Sequence, residues 1–147
     1  MKVVIEKPEN NEEDQIIIRC HNVDSEILKI ISAVKTYDFK IIGHDNERIY
    51  RLNLKDIYYF DTVDNKVFIY LKEKVFESKQ KLYEIEEHLE NTDFLRVSKS
   101  VILNLKKIDY LSPAFSGRFE AKLENGEKVI ISRQYVPDFK KKLRLGE

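Results

Sequence analysis

The chain has few of the residues that mark disulfide frameworks, metal clusters and phosphate-binding loops. Its 147 residues include one cysteine, four glycines, three prolines and no tryptophan. The single cysteine, Cys20, excludes an internal disulfide and a cysteine-cluster zinc site. Four glycines are too few for a nucleotide-cradling loop, and the glycine-rich patterns of dinucleotide-binding and P-loop proteins are both missing.

Long apolar runs are missing as well. Runs such as residues 16–18 are too short to cross a bilayer, and residues 1–6 carry charge near both ends, unlike a signal peptide. A chain of this length buries about 68–70% of its unfolded surface and needs no metal or disulfide to fold. With 42% hydrophobic and 35% charged residues, we expect one cytoplasmic globular domain with a small appendage.

The sequence also lacks the residue patterns that are typical of catalytic sites. Cys20 and His21 are neighbours, so on a strand their side chains point to opposite faces and do not form a nucleophile pair. The histidines, which are His21, His44 and His88, lack the spacing of metal ligands. We therefore predict that the chain is not an enzyme and has no catalytic residue, metal site, cofactor or small-molecule substrate.

The periodicity of apolar residues predicts a mainly β chain. Short alternating runs are separated by turns that contain Asn or Asp, which is typical of antiparallel strands. Asn125-Gly126 lies between two such runs and is a strong hairpin signal. Two helices are predicted within residues 39–147, one capped by Ser78 and running to about Leu89, and one from about Tyr135 to Leu143. The strand candidates are residues 39–43, 48–53, 57–61, 66–71, 74–77, 94–98, 108–112, 118–124 and 128–132.

Residues 1–38 are predicted to form a β-β-α extension. Residues 2–6 and 15–20 are strand candidates, and a helix follows Asp24 or Ser25. These elements are too few to fold alone, so we expect them to complete the core or to form a dimer interface. The segment holds five Lys and Arg against eight Asp and Glu, which argues against contact with phosphate. The apolar stripe of the helix consists of Ile27, Leu28, Ile31 and Val34.

The net charge is zero, but the charges are unevenly distributed. Residues 94–147 hold 12 Lys and Arg against 6 Asp and Glu, and such a basic excess attracts phosphate. Polar and basic residues also fall at the ends of predicted strands, where they could contact DNA phosphates and base edges. These residues are Asn65, Lys66, Ser98, Lys99, Ser100, Lys106, Lys107, Arg133 and Gln134.

Arg133 is the strongest candidate for reading a base. Its planar guanidinium can form two hydrogen bonds to guanine, whereas a lysine ammonium acts as a point charge. The alternative is that Arg133 forms a structural ion pair with a nearby carboxylate such as that of Asp138.

Four blocks of the sequence resemble LytTR-type DNA-binding domains. Residues 94–104, FLRVSKSVILN, resemble the FxRvHrSxivN stretch of that family, and residues 56–61, DIYYFD, resemble its DIxYIE strand. Residues 82–89, LYEIEEHL, are similar to its LkeLeexL helix. Asn125-Gly126 followed by residues 131–136, ISRQYV, resembles its closing block. The blocks occur in the family's order over residues 39–143.

The resemblance implies a fold and a function. Residues 39–147 are expected to form an elongated, mainly β arrangement of small antiparallel sheets with short helices. The expected function is that of a sequence-specific transcription regulator whose loops enter successive major grooves of double-stranded DNA.

The family's contact positions carry over unevenly. Arg133 matches the arginine of the closing block, and Ser98 and Lys99 stand where the family often has His-Arg or His-Asn. Lys66 lies beside another base-reading position of the family. That position is Val67 in this sequence, and a valine side chain cannot donate a hydrogen bond. The resulting base candidates are Arg133, Lys66, Ser98 and Lys99. The phosphate candidates are Asn65, Lys79, Lys81, Ser100, Lys106, Lys107 and Gln134, of which Lys79 and Lys81 fall near the family's phosphate-facing helix start.

The resemblance also bears on partners. A receiver domain needs roughly 120 residues, which residues 1–38 cannot supply. The chain therefore resembles the short bacterial regulators of the family, which are often encoded beside a small membrane protein. We expect a homodimer on repeated DNA half-sites, with such a membrane protein as a regulatory partner. The alternative is a protein–protein interaction module that docks on a membrane partner, although such a surface would favour Tyr, Phe and Met over Lys.

Overall fold

The computed structural model of the protein describes residues 1–38 and 40–144. Within these residues the helices are α1 (Ser25–Asp38), α2 (Leu82–His88) and α3 (Val136–Leu143). The strands are β1 (Lys40–Asp45), β2 (Arg48–Asn53), β3 (Tyr59–Val63), β4 (Lys66–Tyr70), β5 (Val75–Ser78), β6 (Phe94–Arg96), β7 (Val101–Asn104), β8 (Ile108–Pro113), β9 (Phe119–Leu123) and β10 (Lys128–Ile131).

The strands form two antiparallel sheets. The large sheet has the order β2-β1-β5-β4-β3-β7-β6, and the small sheet has the order β10-β9-β8. This arrangement confirms the mainly β fold class, although one sheet, with seven strands, is larger than the small sheets we expected. The predicted Asn125-Gly126 hairpin joins β9 to β10, with Gly126 at a φ of +92° that favours glycine.

Two apolar cores meet at β7. The first lies between the large sheet and α2 and includes the fully buried Phe60 and Ile85. The second is formed by the small sheet and α3 and includes the fully buried Phe139. Since side chains alternate along a strand, β7 contributes Ile102 to the first core and Leu103 to the second. Burial of each such side chain stabilises the fold by about 1.5–3 kcal/mol, so β7 and the loop before it are firmly anchored.

The strand β7 was not among the sequence-predicted strands. Three of its four residues are buried, so its sequence lacks the alternation of apolar and polar residues on which strand prediction depends. The predicted start of α2 at Ser78 was also wrong, because Ser78 ends β5, where it pairs with Val67. The predicted strand start at Phe39 lies outside the described residues.

The prediction of a β-β-α extension is confirmed for its helix and wrong for its two strands. Residues 1–24 contain no strand, because a strand needs a neighbour to satisfy its backbone groups and neither segment pairs with a sheet. The side chains of Val3, Ile5 and Ile16 are 85%, 94% and 71% exposed. The helix α1 does form, and it buries Ile27.

Within residues 1–38 and 40–144, no helix is both long enough and apolar enough to span a membrane. The same residues hold no group of three or more His, Cys, Asp or Glu side chains placed to bind a metal ion.

Candidate nucleic-acid interface

Three loops meet at one end of the large sheet. The β3–β4 turn and the β6–β7 loop are neighbours because β3 and β7 are paired, with Asp61 opposite Val101. The backbone N–H of Thr62 also donates to the carbonyl of Ser100 at 2.9 Å. The β10–α3 turn is attached to the same place, since the N–H of Ser132 donates to the carbonyl of Val97 at 2.9 Å.

The link between β5 and α2 belongs to the same end, since Ser78 pairs with Val67 just after the β3–β4 turn. The hydrogen bond from Lys79 at 3.1 Å lowers the pKa of Glu77, and the charges of Lys79, Lys66 and His44 lower it further. Basic groups from β1, β4 and the β5–α2 link are thus close to Glu77. We call this end the loop edge, and it comprises Asn65, Lys66, Lys79, Lys81, Ser98, Lys99, Ser100, Arg133 and Gln134.

The β3–β4 turn presents Lys66 and withdraws Val67. Asp64 and Asn65 both have positive φ, at 51° and 64°, which is the geometry of a two-residue turn that matches the twist of its strands. Lys66 is exposed, whereas Val67 is only 5% exposed and belongs to the first core. Val67 therefore cannot contact DNA, and Lys66 is the exposed cation of this turn.

The β6–β7 loop is held in shape by its own side chains. The Ser98 hydroxyl oxygen accepts the backbone N–H groups of Ser100 at 3.3 Å and Val101 at 3.1 Å. Ser98 is therefore engaged inside the loop, whereas the side chain of Lys99 is exposed at its tip.

Arg96, which is not among the sequence-predicted contact residues, fixes this loop to α2. Its guanidinium donates to the carbonyls of Ser98, at 2.8 Å, and of Lys99, and it forms a 2.9 Å ion pair with Glu86. The Arg96 side chain is only 20% exposed, so these bonds are partly shielded from water. The available signal was its place inside the block FLRVSKS, between buried Phe94 and Val97.

Arg133 begins the turn Arg133–Tyr135, which leads from β10 into α3 and is closed by the N–H of Tyr135 donating to Ser132 at 2.9 Å. Its aliphatic stem lies against the β8–β9 turn, because a Cβ added to Gly117 would be 3.1 Å from the Arg133 Cδ. Arg133 is exposed, and no carboxylate of the described chain, including that of Asp138, forms an ion pair with it. The structural ion-pair alternative is therefore not what the structure shows.

Two phosphate candidates, Lys106 and Lys107, lie at the other end of β7. Lys106 forms a 3.4 Å ion pair with Asp93, and the Lys107 ammonium lies 5.0 Å from the centre of the Tyr58 ring. The four residues of β7 separate them from Ser100 by about 13 Å. The structure thus gathers nine of the eleven predicted contact residues at the loop edge and leaves these two elsewhere.

Asp61 is an acidic group beneath the β6–β7 loop. It is half-buried, and burial raises the pKa of its carboxyl above the ordinary value of 3.8. Hydrogen bonds from the Ser100 side chain and the Thr62 backbone oppose this shift. The carboxylate therefore links β3 to the loop that carries Lys99.

Comparisons with known proteins agree with this architecture. A solved LytTr DNA-binding domain from Bacillus cereus superimposes with a TM-score of 0.67 at 25% sequence identity, and the match covers 71% of this chain and 95% of that domain. Sensory transduction protein LytT of Enterococcus faecalis is 36% identical over 112 residues, which are 76% of this chain and 46% of LytT. This chain thus spans less than half the length of that relative.

A second relative is similar over almost its whole length. An uncharacterized HTH-type transcriptional regulator of Staphylococcus aureus is 28% identical over 138 residues, which are 92% of this chain and 93% of that protein. The family model of the LytTr DNA-binding domain matches residues 47–144, which contain the whole loop edge. The chain belongs to the LytTr DNA-binding domain family.

Proposed function

We propose that the chain is a sequence-specific transcriptional regulator that binds double-stranded DNA through the loop edge. The observation that supports this proposal is that three separate loops meet at one end of the large sheet, where Lys66, Lys99 and Arg133 are exposed. The relatives support this function, since one is named a transcriptional regulator and the family is described as a DNA-binding domain.

The loop-edge residues divide into three roles. Arg133 reads a base, since its exposed fork can bond guanine at two points. Lys66 and Lys99 supply charge to phosphates or base edges from turns that their neighbours hold in shape. Ser98 supports the loop, because its oxygen already accepts two backbone N–H groups. The other phosphate candidates at this end are Asn65, Lys79, Lys81, Ser100 and Gln134.

Selection of bound duplexes from a random DNA pool tests this function directly. The wild-type chain should enrich one sequence pattern, and the Arg133→Ala variant should enrich the same pattern with one position relaxed. A wild-type chain that enriches no sequence at all would contradict the proposal. The alternative, a module that binds a protein rather than DNA, would give that result.

We further propose that residues 1–24 support a homodimer on two half-sites. The apolar side chains of this arm are exposed, and their burial against a second copy would remove them from water. α1 instead packs on its own chain, with Ser32 hydrogen-bonded to Asp93 at 3.5 Å and Lys35 to the carbonyl of Glu90 at 3.1 Å. Two linked copies would multiply their affinities through effective concentration.

Deletion of residues 1–24 tests whether this arm is needed for dimerisation and not for binding to a single half-site. Sedimentation should show a dimer for the full chain and a monomer for the shortened chain, with single half-site affinity retained. A shortened chain that stays dimeric and binds paired half-sites as tightly as the full chain contradicts the dimer role of the arm. A small membrane protein as regulatory partner stays a prediction.

A further inference from the structure

We propose that Phe115 contacts DNA and packs on a thymine methyl group in the groove that Arg133 enters. This inference rests on the proposed function and adds an apolar contact from the β8–β9 turn, which the sequence analysis did not include among the contact residues.

Phe115 is held out in water by an ordered turn. Its side chain is 88% exposed, although burial of an aromatic ring of this size is strongly favourable. The N–H of Ala114 donates to the carbonyl of Arg118 at 2.8 Å and closes the turn. Ser116 and Gly117 both adopt positive φ, at 61° and 76°. The ring is therefore placed at the tip of a defined loop and has no role in either core.

The turn that carries Phe115 lies beside the base-reading arginine. Phe119, the first residue of β9, pairs with Pro113 on one side and with Ile131 on the other, so the β8–β9 turn and the end of β10 share one end of the small sheet. A Cβ at Gly117 would lie 3.1 Å from Cδ of Arg133. Two residues span at most about 7.6 Å between Cα atoms, which keeps Phe115 close to that contact.

The chemistry of the neighbourhood fits duplex DNA. Arg118 is exposed on the same turn, so the ring is flanked by two arginines that favour a polyanion. The major groove offers one apolar group, the 5-methyl of thymine, and phenylalanine is one of the side chains that contact it. An exposed ring beside an arginine that bonds guanine is thus suited to recognise a thymine next to that guanine.

The test combines two protein variants with thymine-to-uracil replacement in the selected duplex, which removes the methyl group and keeps base pairing. Phe115→Ala in the full chain should weaken binding about tenfold. The salt dependence should stay unchanged, because no phosphate contact is lost. Tyr37→Ala is the matched control, since Tyr37 is 89% exposed on α1, whose Lys35 is bound to Glu90 away from the loop edge. This control should bind DNA like the wild type.

Uracil at one thymine should weaken the wild type by a similar factor and should not weaken Phe115→Ala further. The inference is overturned if Phe115→Ala binds as well as Tyr37→Ala, or if it weakens binding without sensitivity to any thymine methyl. A changed mass in solution with unchanged DNA affinity would assign Phe115 to a protein contact and would also overturn it. Failure of the proposed function looks different, because the wild type and Arg133→Ala would then both bind without sequence preference.

Discussion

The lysines near the two ends of β7 differ in the contacts that they make. At the loop edge, Lys99 is exposed at the tip of a loop that Arg96 and Ser98 hold in place. At the far end, Lys106 is paired with Asp93, and Lys107 lies over the Tyr58 ring. Lys99 thus forms no ion pair with the described residues, whereas Lys106, although exposed, and Lys107 each have a partner.

This difference shows why charge counts alone do not locate an interface. Residues 94–147 are basic as a whole, but their cations are distributed over both ends of the molecule. The distinguishing feature is the support beneath the charge, which at the loop edge is the network of Arg96, Glu86 and the loop carbonyls. A preorganised loop loses less conformational entropy when it binds, which favours the supported end as the DNA-binding surface that we propose.

Of the substitutions that distinguish the two ends of β7, removal of the Arg96 side chain should have the largest effect on stability and DNA affinity. Arg96→Ala should lower the free energy of unfolding by about 2–3 kcal/mol, because bonds to two carbonyls and to Glu86 are lost. It should also weaken DNA binding, because the β6–β7 loop that carries Lys99 would lose its support. Urea unfolding and a DNA titration measure both effects. Arg96→Lys should restore some stability and little of the loop geometry, since an ammonium lacks the planar fork. Equal DNA affinity of the wild type, Arg96→Ala and Arg96→Lys would contradict the role of Arg96 in supporting the DNA-binding loop.

Arg133→Ala should be next in size. It should weaken specific DNA binding by about 1–3 kcal/mol and relax the preference at one base pair, while the unfolding free energy stays close to that of the wild type because Arg133 is exposed. Arg133→Lys keeps the charge and should still lose the base preference. Competition titration against single-base variants of the site measures this. A lysine variant with full specificity would show that Arg133 supplies charge alone.

Asp61→Asn should give a smaller, pH-dependent effect. Burial raises the pKa of Asp61, so the fold favours the protonated form, and that contribution to stability is lost as the pH rises through the raised pKa. The asparagine variant should therefore be more stable than the wild type at pH 7. Its advantage should shrink as the pH falls toward the ordinary pKa of 3.8. Thermal unfolding between pH 7 and pH 4 checks this, and an advantage that grows toward low pH would contradict it.

Lys107→Ala should have the smallest effect. Loss of the contact with the Tyr58 ring should cost about 0.5–1 kcal/mol of unfolding free energy. DNA affinity should not change, because this lysine lies away from the loop edge. A drop in DNA affinity comparable to that of Lys99→Ala would contradict DNA binding at the loop edge alone.

Much of the fold could be predicted from the sequence, because half-buried strands carry a period of two. The β9 strand shows it clearly, with Ala121 and Leu123 buried and Lys122 between them more exposed. The strand β7 could not be found in this way, since it is covered on both faces by the two cores. The N-terminal strands failed for the opposite reason, because residues 15–20 have strand-forming side chains but no partner strand.

The missed strand also explains why Lys106 and Lys107 lie apart from the other predicted contact residues. Successive loops of an antiparallel sheet lie at alternate ends, so Ser98–Ser100 and Lys106–Lys107, which flank β7, must lie apart. If β7 is not recognised, no local pattern places these two groups at different ends of the sheet. The burial of Val67 and the support from Arg96 depend on contacts between distant segments, such as Arg96 with Glu86, which local patterns do not encode.

The salt dependence of DNA affinity in two double variants shows which end of β7 binds DNA. Each phosphate contact that is lost should reduce the slope of log affinity against log salt by about 0.9. The Lys66→Ala/Lys99→Ala chain should therefore have a slope lower by nearly two units, and the charge-matched Lys106→Ala/Lys107→Ala chain should keep the wild-type slope. The opposite result, an unchanged slope in the first chain and a reduced slope in the second, would place the DNA at the far end of β7 and contradict binding through the loop edge.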